Sequence, residues 1–208
     1  MATKTIKQKF IIDESGSMLN QQMTVINGFN EQLQDMAREE REQDVRYLVS
    51  LTKFSHAVTK VFVDVPVAEV PKLTTETYRP DGSTALFDAI GATIESATLG
   101  ETDVMVTIMT DGQENASRTW KQAAIKTLID IRQRENKWGF VYFGANQDAW
   151  SAASSIGVAN AVNYTVNNTA NMMRASSTVR SAYTTSAMKG VYNVSNLTCN
   201  VNEKDLTK

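Results

Sequence analysis

Phe10-Ile11-Ile12-Asp13-Glu14-Ser15-Gly16-Ser17 carries an apolar run straight into a carboxylate followed by two hydroxyls. The run, with the residues before it from Ile6, predicts a strand buried on both faces, which belongs at the centre of a parallel sheet. On the tight loop that follows, alternate positions aim the Asp13 carboxylate and the Ser15 and Ser17 hydroxyls at one point. A hard cation such as Mg2+ takes oxygen ligands of that kind, about six of them, so one short loop cannot complete the shell. The remaining donors must come from distant loops. Gly82-Ser83-Thr84-Ala85 and Thr110-Asp111-Gly112 are the two candidates.

Working outward, Val25, Ile26, Phe29, Leu33, Met36 and Ala37 recur at helical spacing. This amphipathic helix ends in Arg38-Glu39-Glu40-Arg41-Glu42, a mixed charge run read as a solvated face. Asp44 to Phe54 and Val58 to Val65 are β-rich runs joined by Ser55-His56-Ala57. That connection is too short for a parallel crossover, so the pair is a hairpin with its second strand antiparallel at a sheet edge. His56 falls in the turn and reads as an exposed loop residue rather than a catalytic one. Pro66 to Pro80 is a connecting segment that delivers the chain to Thr84, beside the start of a helix with Leu86, Ile90, Thr93, Ile94 and Ala97 on one stripe. A threonine there is ordinarily a helix cap, and the loop viewed alone leaves cap and ligand both open.

Val104 to Met109 is a second buried central strand, and it too ends at a carboxylate, Asp111, followed by a turn glycine. A helix with Trp120, Ala124, Leu128 and Ile131 on one side comes next. Gly139 to Phe143 is a third central strand, followed by a short helix closed by Gly157 and a final edge strand over Val162 to Tyr164. From Asn167 the composition turns to Asn, Thr, Ser, Ala and Met, yet Met172, Ala175, Val179, Ala182 and Tyr183 keep helical spacing. The expected organisation is one domain over residues 1–166, a helix over 167–190 that packs back on it, and a polar tail over 191–208. Alternating strands and helices make this an α/β, three-layer, doubly wound fold with a mostly parallel sheet. Ligands of such sheets bind outside the carboxyl ends of the strands, where strand order reverses.

The bulk properties narrow the function. The chain has 208 residues, 42% of them hydrophobic and 21% charged, with a net charge of −2. That suits one globular α/β domain and gives no electrostatic basis for binding nucleic acid. No apolar stretch is long enough to span a bilayer, and the N-terminal residues lack the apolar core of a secretory signal. Cys199 is the single cysteine, so no internal disulfide can form, and the expected location is cytoplasmic.

Asp13-x-Ser15-x-Ser17, a distant Thr84 and Asp111 in a Thr-Asp-Gly turn together resemble the metal-ion-dependent adhesion site of von Willebrand factor A domains. The resemblance extends over about Lys7 to Tyr164, and Asp-Gly-Ser-Thr-Ala-Leu and Thr-Asp-Gly-Gln-Glu-Asn look like bacterial and phage members. It implies a six-stranded sheet in the order 3-2-1-4-5-6 with strand 3 antiparallel. It further implies that Ser15 and Ser17 bind a divalent cation directly, Mg2+ or else Mn2+ or Ca2+, with Thr84 binding directly or through water. Asp13 and Asp111 would act through water or through hydrogen bonds to the serines. Neutral hydroxyls leave such an ion electrophilic, and an open position can accept an Asp or Glu carboxylate from a protein partner. Glu14, Gln113, Glu114, Asn146 and Asp148 are expected on the rim, Glu14 as an exposed loop acid and the others as turn or cap residues able to shape specificity.

Two other readings compete with a protein-interaction module. A Mg2+-dependent phosphoryl hydrolase also places an Asp after its first strand, but it needs a second acid two residues on, where this chain has Ser15, and a positioned lysine. A structural or virion-associated protein could use the metal only to stabilise its loops. Nothing in the sequence sets the oligomeric state.

Overall fold

The computed structural model describes residues 3–98, 100–145, 149–164, 169–192 and 197. Strand β1 (Lys4–Asp13) is followed by a 3-10 turn, Gly16–Gln21, and helix α1 (Gln22–Glu42). Strands β2 (Val45–Phe54) and β3 (Val58–Pro66) form the hairpin, and a long connection leads to α2 (Leu86–Glu95). Then come β4 (Val104–Thr110), α3 (Gln122–Asn136), β5 (Gly139–Ala145), α4 (Ala149–Ser155), β6 (Ala161–Tyr164) and α5 (Thr169–Met188). The six strands form one sheet in the order β3-β2-β1-β4-β5-β6. Only the β2–β3 pair is antiparallel.

β1 lies between β2 and β4, with Phe10 opposite Leu51 on one side and Thr107 on the other. Chain order reverses between β1 and β4, so Asp13 and Asp111 leave the sheet at neighbouring carboxyl ends on either side of the switch point. The side-chain period of two explains the continuous apolar run before Asp13. Phe10 and Ile12 face one core with Phe29 and Met36 of α1, while Ile11 faces the other with Ile90 of α2 and Ile129 of α3. Phe10 and Phe29 meet edge to face at 5.2 Å. Each such fully buried side chain contributes about 1.5–3 kcal/mol, which fixes the strand's register and hence where Asp13 emerges.

Several expectations need correction. The face of α3 that packs on the sheet is Ile125 and Ile129, whereas Ala124 is exposed, Leu128 and Ile131 are half-buried and Trp120 precedes the helix. Trp120 instead lies on Gly91 of α2, where a Cβ would come within 2.4 Å of the indole. The charge run at the end of α1 is not simply solvated. Glu39 accepts hydrogen bonds from Arg180 (2.7 Å) and Ser181 (2.8 Å) of α5 and from the Tyr47 hydroxyl (2.5 Å), and it thereby anchors the last helix. Arg180 is 1% exposed and sits over the Tyr47 ring at 5.6 Å.

The buried stripe of α5 is Ala175, Val179, Tyr183 and Ala187, which join the α1 core, while Ala182 is half-buried. The side chain of Met172 and nearly all of the polar tail lie outside the described residues. No helix among the described residues is long and apolar enough to cross a membrane.

Candidate metal centre

Three loops converge at the switch point. Asp13 is the last residue of β1, and the chain turns at Ser15 into the 3-10 turn that carries Ser17. Backbone bonds lock this loop to the segment that brings in Thr84: Gly16 N donates to the Gly82 carbonyl (3.0 Å) and Asp81 N to the Glu14 carbonyl (2.8 Å). The third loop is tied to the second, because Asn115 N and Ala116 N both donate to the Thr84 carbonyl (3.0 and 3.2 Å).

Both carboxylates are consumed by hydrogen bonds. Asp13 Oδ1 accepts from Ser15 N (2.7 Å), and its Oδ2 from the Thr110 hydroxyl (2.5 Å). Asp111 Oδ1 accepts from the Ser17 hydroxyl (2.5 Å), and its Oδ2 from Gln21 Nε2 (2.9 Å). The Ser15 and Ser17 hydroxyls are 3.1 Å apart. A serine that donates its proton keeps oxygen lone pairs for another ligand. The carboxylates therefore orient the loops, and the hydroxyls carry the remaining acceptor capacity.

Thr84 does not cap α2. The residue at the N-cap of α2 is Ala85, and the first-turn amides of Phe87 and Asp88 donate to Glu114 and Ser117, not to Thr84. Thr84 is only 3% exposed, and its hydroxyl makes no hydrogen bond among the described residues. It faces Gly112: a Cβ there would lie 2.9 Å from Thr84 Oγ1 and 3.8 Å from Asp13 Oδ2. A glycine is required at this turn so that the hydroxyl from the second loop and the carboxylate from the first can approach one small volume.

Burial sets the electrostatics of the Asp13 carboxylate. Asp13 is fully buried, and burial pushes its carboxyl up from 3.8 to about 6. Hydrogen bonds from Thr110 and Ser15 offset part of that rise, and the Asp111 charge adds to it. No basic side chain forms an ion pair with Asp13 or Asp111 among the described residues. Nor does any group of three or more His, Cys, Asp or Glu gather among them. The donor set is hydroxyl and carboxylate oxygen, which fits a hard divalent cation better than a soft one.

The rim residues fall into different roles. Glu14 is not an exposed acid: Oε1 meets Lys53 Nζ at 2.8 Å and accepts from Arg79 N at 2.6 Å, pinning the first loop to β2 and to the Thr84 segment. Glu114 is held by Phe87 N (2.8 Å), Ala116 N (2.9 Å) and Ser117 N (2.7 Å), so its carboxylate is spent on the start of α2 and its own turn. Gln113 is exposed beside Gly112. Asn146 and Asp148 lie outside the described residues. His56 is exposed in its hairpin turn, with its ring against Gly82, whose φ is +81°.

Sequence reasoning missed four supporting side chains. Gln21 follows Ser17 by four residues, and that spacing could have placed both over Asp111. Thr110, which bridges Asp13 and the Gly112 backbone at 3.1 Å, hides inside a strand pattern. Tyr78 donates to the Asp13 carbonyl at 2.7 Å. Tyr164 ends β6 with its hydroxyl buried and without a hydrogen-bond partner among the described residues. Burial, with the Asp111 and Asp13 charges, holds that phenol well above its ordinary value. No local signal marks either tyrosine, since only folding brings them under the loops.

No family model matches the chain, and neither does any curated protein. Among solved structures it is similar to proximal thread matrix protein 1 from the mussel byssus, in a form with a zinc-occupied MIDAS motif, at 14% identity and a TM-score of 0.56, over 83% of this chain and 45% of that one. The VWA2 paralog of ArnB from Sulfolobus acidocaldarius aligns at 16% identity and 0.58, over 84% and 45%. The vWF domain of the type V pilus tip protein Mfa5 from Porphyromonas gingivalis aligns at 11% identity and 0.58, over 92% and 97%. The chain thus spans less than half the length of the mussel and archaeal chains. At these identities the likeness shows the fold, and the strand order with its one antiparallel edge agrees with it: the architecture is that of a von Willebrand factor A domain.

Proposed function

We propose that the chain is a metal-dependent protein-interaction module that captures an acidic side chain of a partner through a divalent cation. Ser15, Ser17 and Thr84 would hold the ion by their hydroxyls, and Asp13 and Asp111 would orient those hydroxyls and balance the charge. Mg2+ is the first candidate, with Mn2+ or Ca2+ taking the same oxygen set. When bound, the ion supplies an electrophilic position for a carboxylate from outside the chain.

The observation that carries this reading is the unengaged hydroxyl of Thr84, 3% exposed and directed at the same volume as Asp13. The zinc-occupied motif named for the mussel protein and the pilus-tip role named for Mfa5 support it by analogy of fold. A phosphoryl-transfer enzyme is disfavoured by Ser15 standing where a second carboxylate is needed. The single Cys199 is consistent with work in a reducing compartment, which we include in the proposal.

Calorimetric titration of metal-stripped protein with Mg2+ and Mn2+ tests the site. Saturable binding that Ser15→Ala and Asp111→Ala each weaken by about tenfold or more is expected, corresponding to about 1.4 kcal/mol. Binding unchanged in both variants refutes the assignment. A purification with and without chelator then tests whether a partner depends on the metal.

A further inference from the structure

Beside the metal centre, between the first turn of α2 and helix α4, lies a cavity of about 280 Å3. Leu86 and Phe87 of α2, Gln113, Tyr142 of β5, and Ala152 and Ile156 at α4 line it. The fold explains why it is open. Helix α3 does not begin until Gln122, and the preceding loop is drawn onto α2. Phe87 N donates to Glu114, Trp120 N donates to Asp88 at 2.8 Å, and the Trp120 ring rests on Gly91.

We propose that this cavity receives an aromatic side chain of the same partner whose carboxylate the metal centre binds; the inference rests on the function proposed above. Chemistry selects the occupant. Phe87 and Tyr142 give the cavity aromatic walls, and Leu86 and Ile156 add aliphatic surface. Among the described residues no Lys or Arg lines it, and the one charged residue that does, Glu114, has both oxygens committed to protein donors. An anion would find no counter-charge and a cation no free carboxylate, which leaves a neutral ring. The volume lies at the small end of ligand sites and suits one ring system rather than a nucleotide-sized cofactor.

Position selects the source. Gln113 follows Gly112 directly and Leu86 stands two residues after Thr84, so two lining residues come from the loops that carry the proposed ion site. Trp150, 44% exposed, precedes the cavity-lining Ser151 on α4. Across the centre, Leu19 and Met23 are 60% and 54% exposed on the loop and helix that follow Ser17. Large apolar side chains are thus uncovered on both flanks of a polar centre, the layout of an interface with aromatic anchors around one charged contact.

Two arms separate this inference from the reading beneath it. First, indole is titrated into chelator-treated protein and followed by NMR. Saturable shifts at Leu86 and Ile156 methyls, on the order of millimolar affinity, are expected, and Ala152→Phe and Ser155→Tyr, two independent ways to fill the cavity, should each weaken them by about tenfold or more. Absence of saturable shifts in the wild type overturns the proposal whatever the metal does, and so does persistence in both folded variants.

Second, random peptides are selected on the protein in Mg2+. Enrichment of an acidic residue together with a nearby aromatic is expected, with Ala152→Phe losing the aromatic preference and Ser15→Ala the acidic one. Acid-only peptides on the wild type overturn the cavity's role. Indole binding without any chelator-sensitive selection refutes the metal reading and makes the cavity a site for small aromatic molecules instead.

Discussion

Thr84→Val isolates the hydroxyl on which the proposed metal centre depends, because it removes that oxygen while keeping the branched shape. The Thr84 hydroxyl has no hydrogen-bond partner among the described residues and is 3% exposed. Leaving such a group unpaired costs about 1–3 kcal/mol. The lower end applies, because the oxygen is not among the fully enclosed unpartnered atoms. Replacing it should therefore raise metal-free stability by about 1 kcal/mol, or roughly 2–4 °C for a chain of this size. A threonine acting as a helix cap predicts the opposite sign, a loss of about 1 kcal/mol.

With metal the order reverses. At a concentration about 100 times Kd a bound ion stabilises the fold by about 2.7 kcal/mol, and a roughly tenfold loss of affinity removes about 1.4 kcal/mol of that. The metal-induced rise in Tm should shrink by about 3–6 °C in the variant. Thermal melts of both proteins with chelator and with Mg2+ measure all four values. A fall in metal-free Tm, or an unchanged metal shift, refutes the reasoning.

Gly112→Ala places a methyl 2.9 Å from Thr84 Oγ1 and should weaken Mg2+ binding by about tenfold or more, while the metal-free fold, read by circular dichroism, survives. The Asp13 carboxyl is raised in the fold to about 6 from 3.8, so its protonated form is favoured there. Metal-free stability should thus be highest below about pH 4 and fall by up to about 3 kcal/mol as pH rises through 6. Asp13→Asn should flatten that decline in urea melts, and Mg2+ affinity in the wild type should rise over the same interval. Arg180→Met leaves the half-buried Glu39 without its cation and should cost about 1–3 kcal/mol, with amide exchange accelerating first in α5; protection retained along α5 would count against Glu39 as its anchor.

How much of the site was legible in sequence follows from the range over which each contact acts. Asp13, Ser15 and Ser17 lie on one turn, so their residue types and spacing suffice to mark them, and Asp111 repeats the same signature of an apolar strand ending in a carboxylate. Thr84 carried an ambiguous signal, because a threonine at a helix start has a local explanation that only the Ala85 cap removed. Glu14 misled for the same reason: an acid in a loop reads as exposed until Lys53, on a different strand, is seen against it. The Glu39 anchor was hidden because Arg180, 141 residues away, looks in sequence like any other helical charge.

The strand order was accessible by resemblance, and the alternation of strands and helices, with two strands ending in carboxylates, followed from periodicity alone. Tertiary structure decided what lies beneath and beside the centre. Tyr78 and Tyr164 come under the loops from distant segments, and Gln21 and Thr110 use up the carboxylate oxygens that sequence would leave to the ion. The cavity that Gln113 helps line is formed where α2, β5 and α4 meet. Periodicity and turn chemistry are properties of neighbours along the chain, whereas hydrogen-bond satisfaction and empty volume are set by neighbours in space, and only the packed fold specifies those.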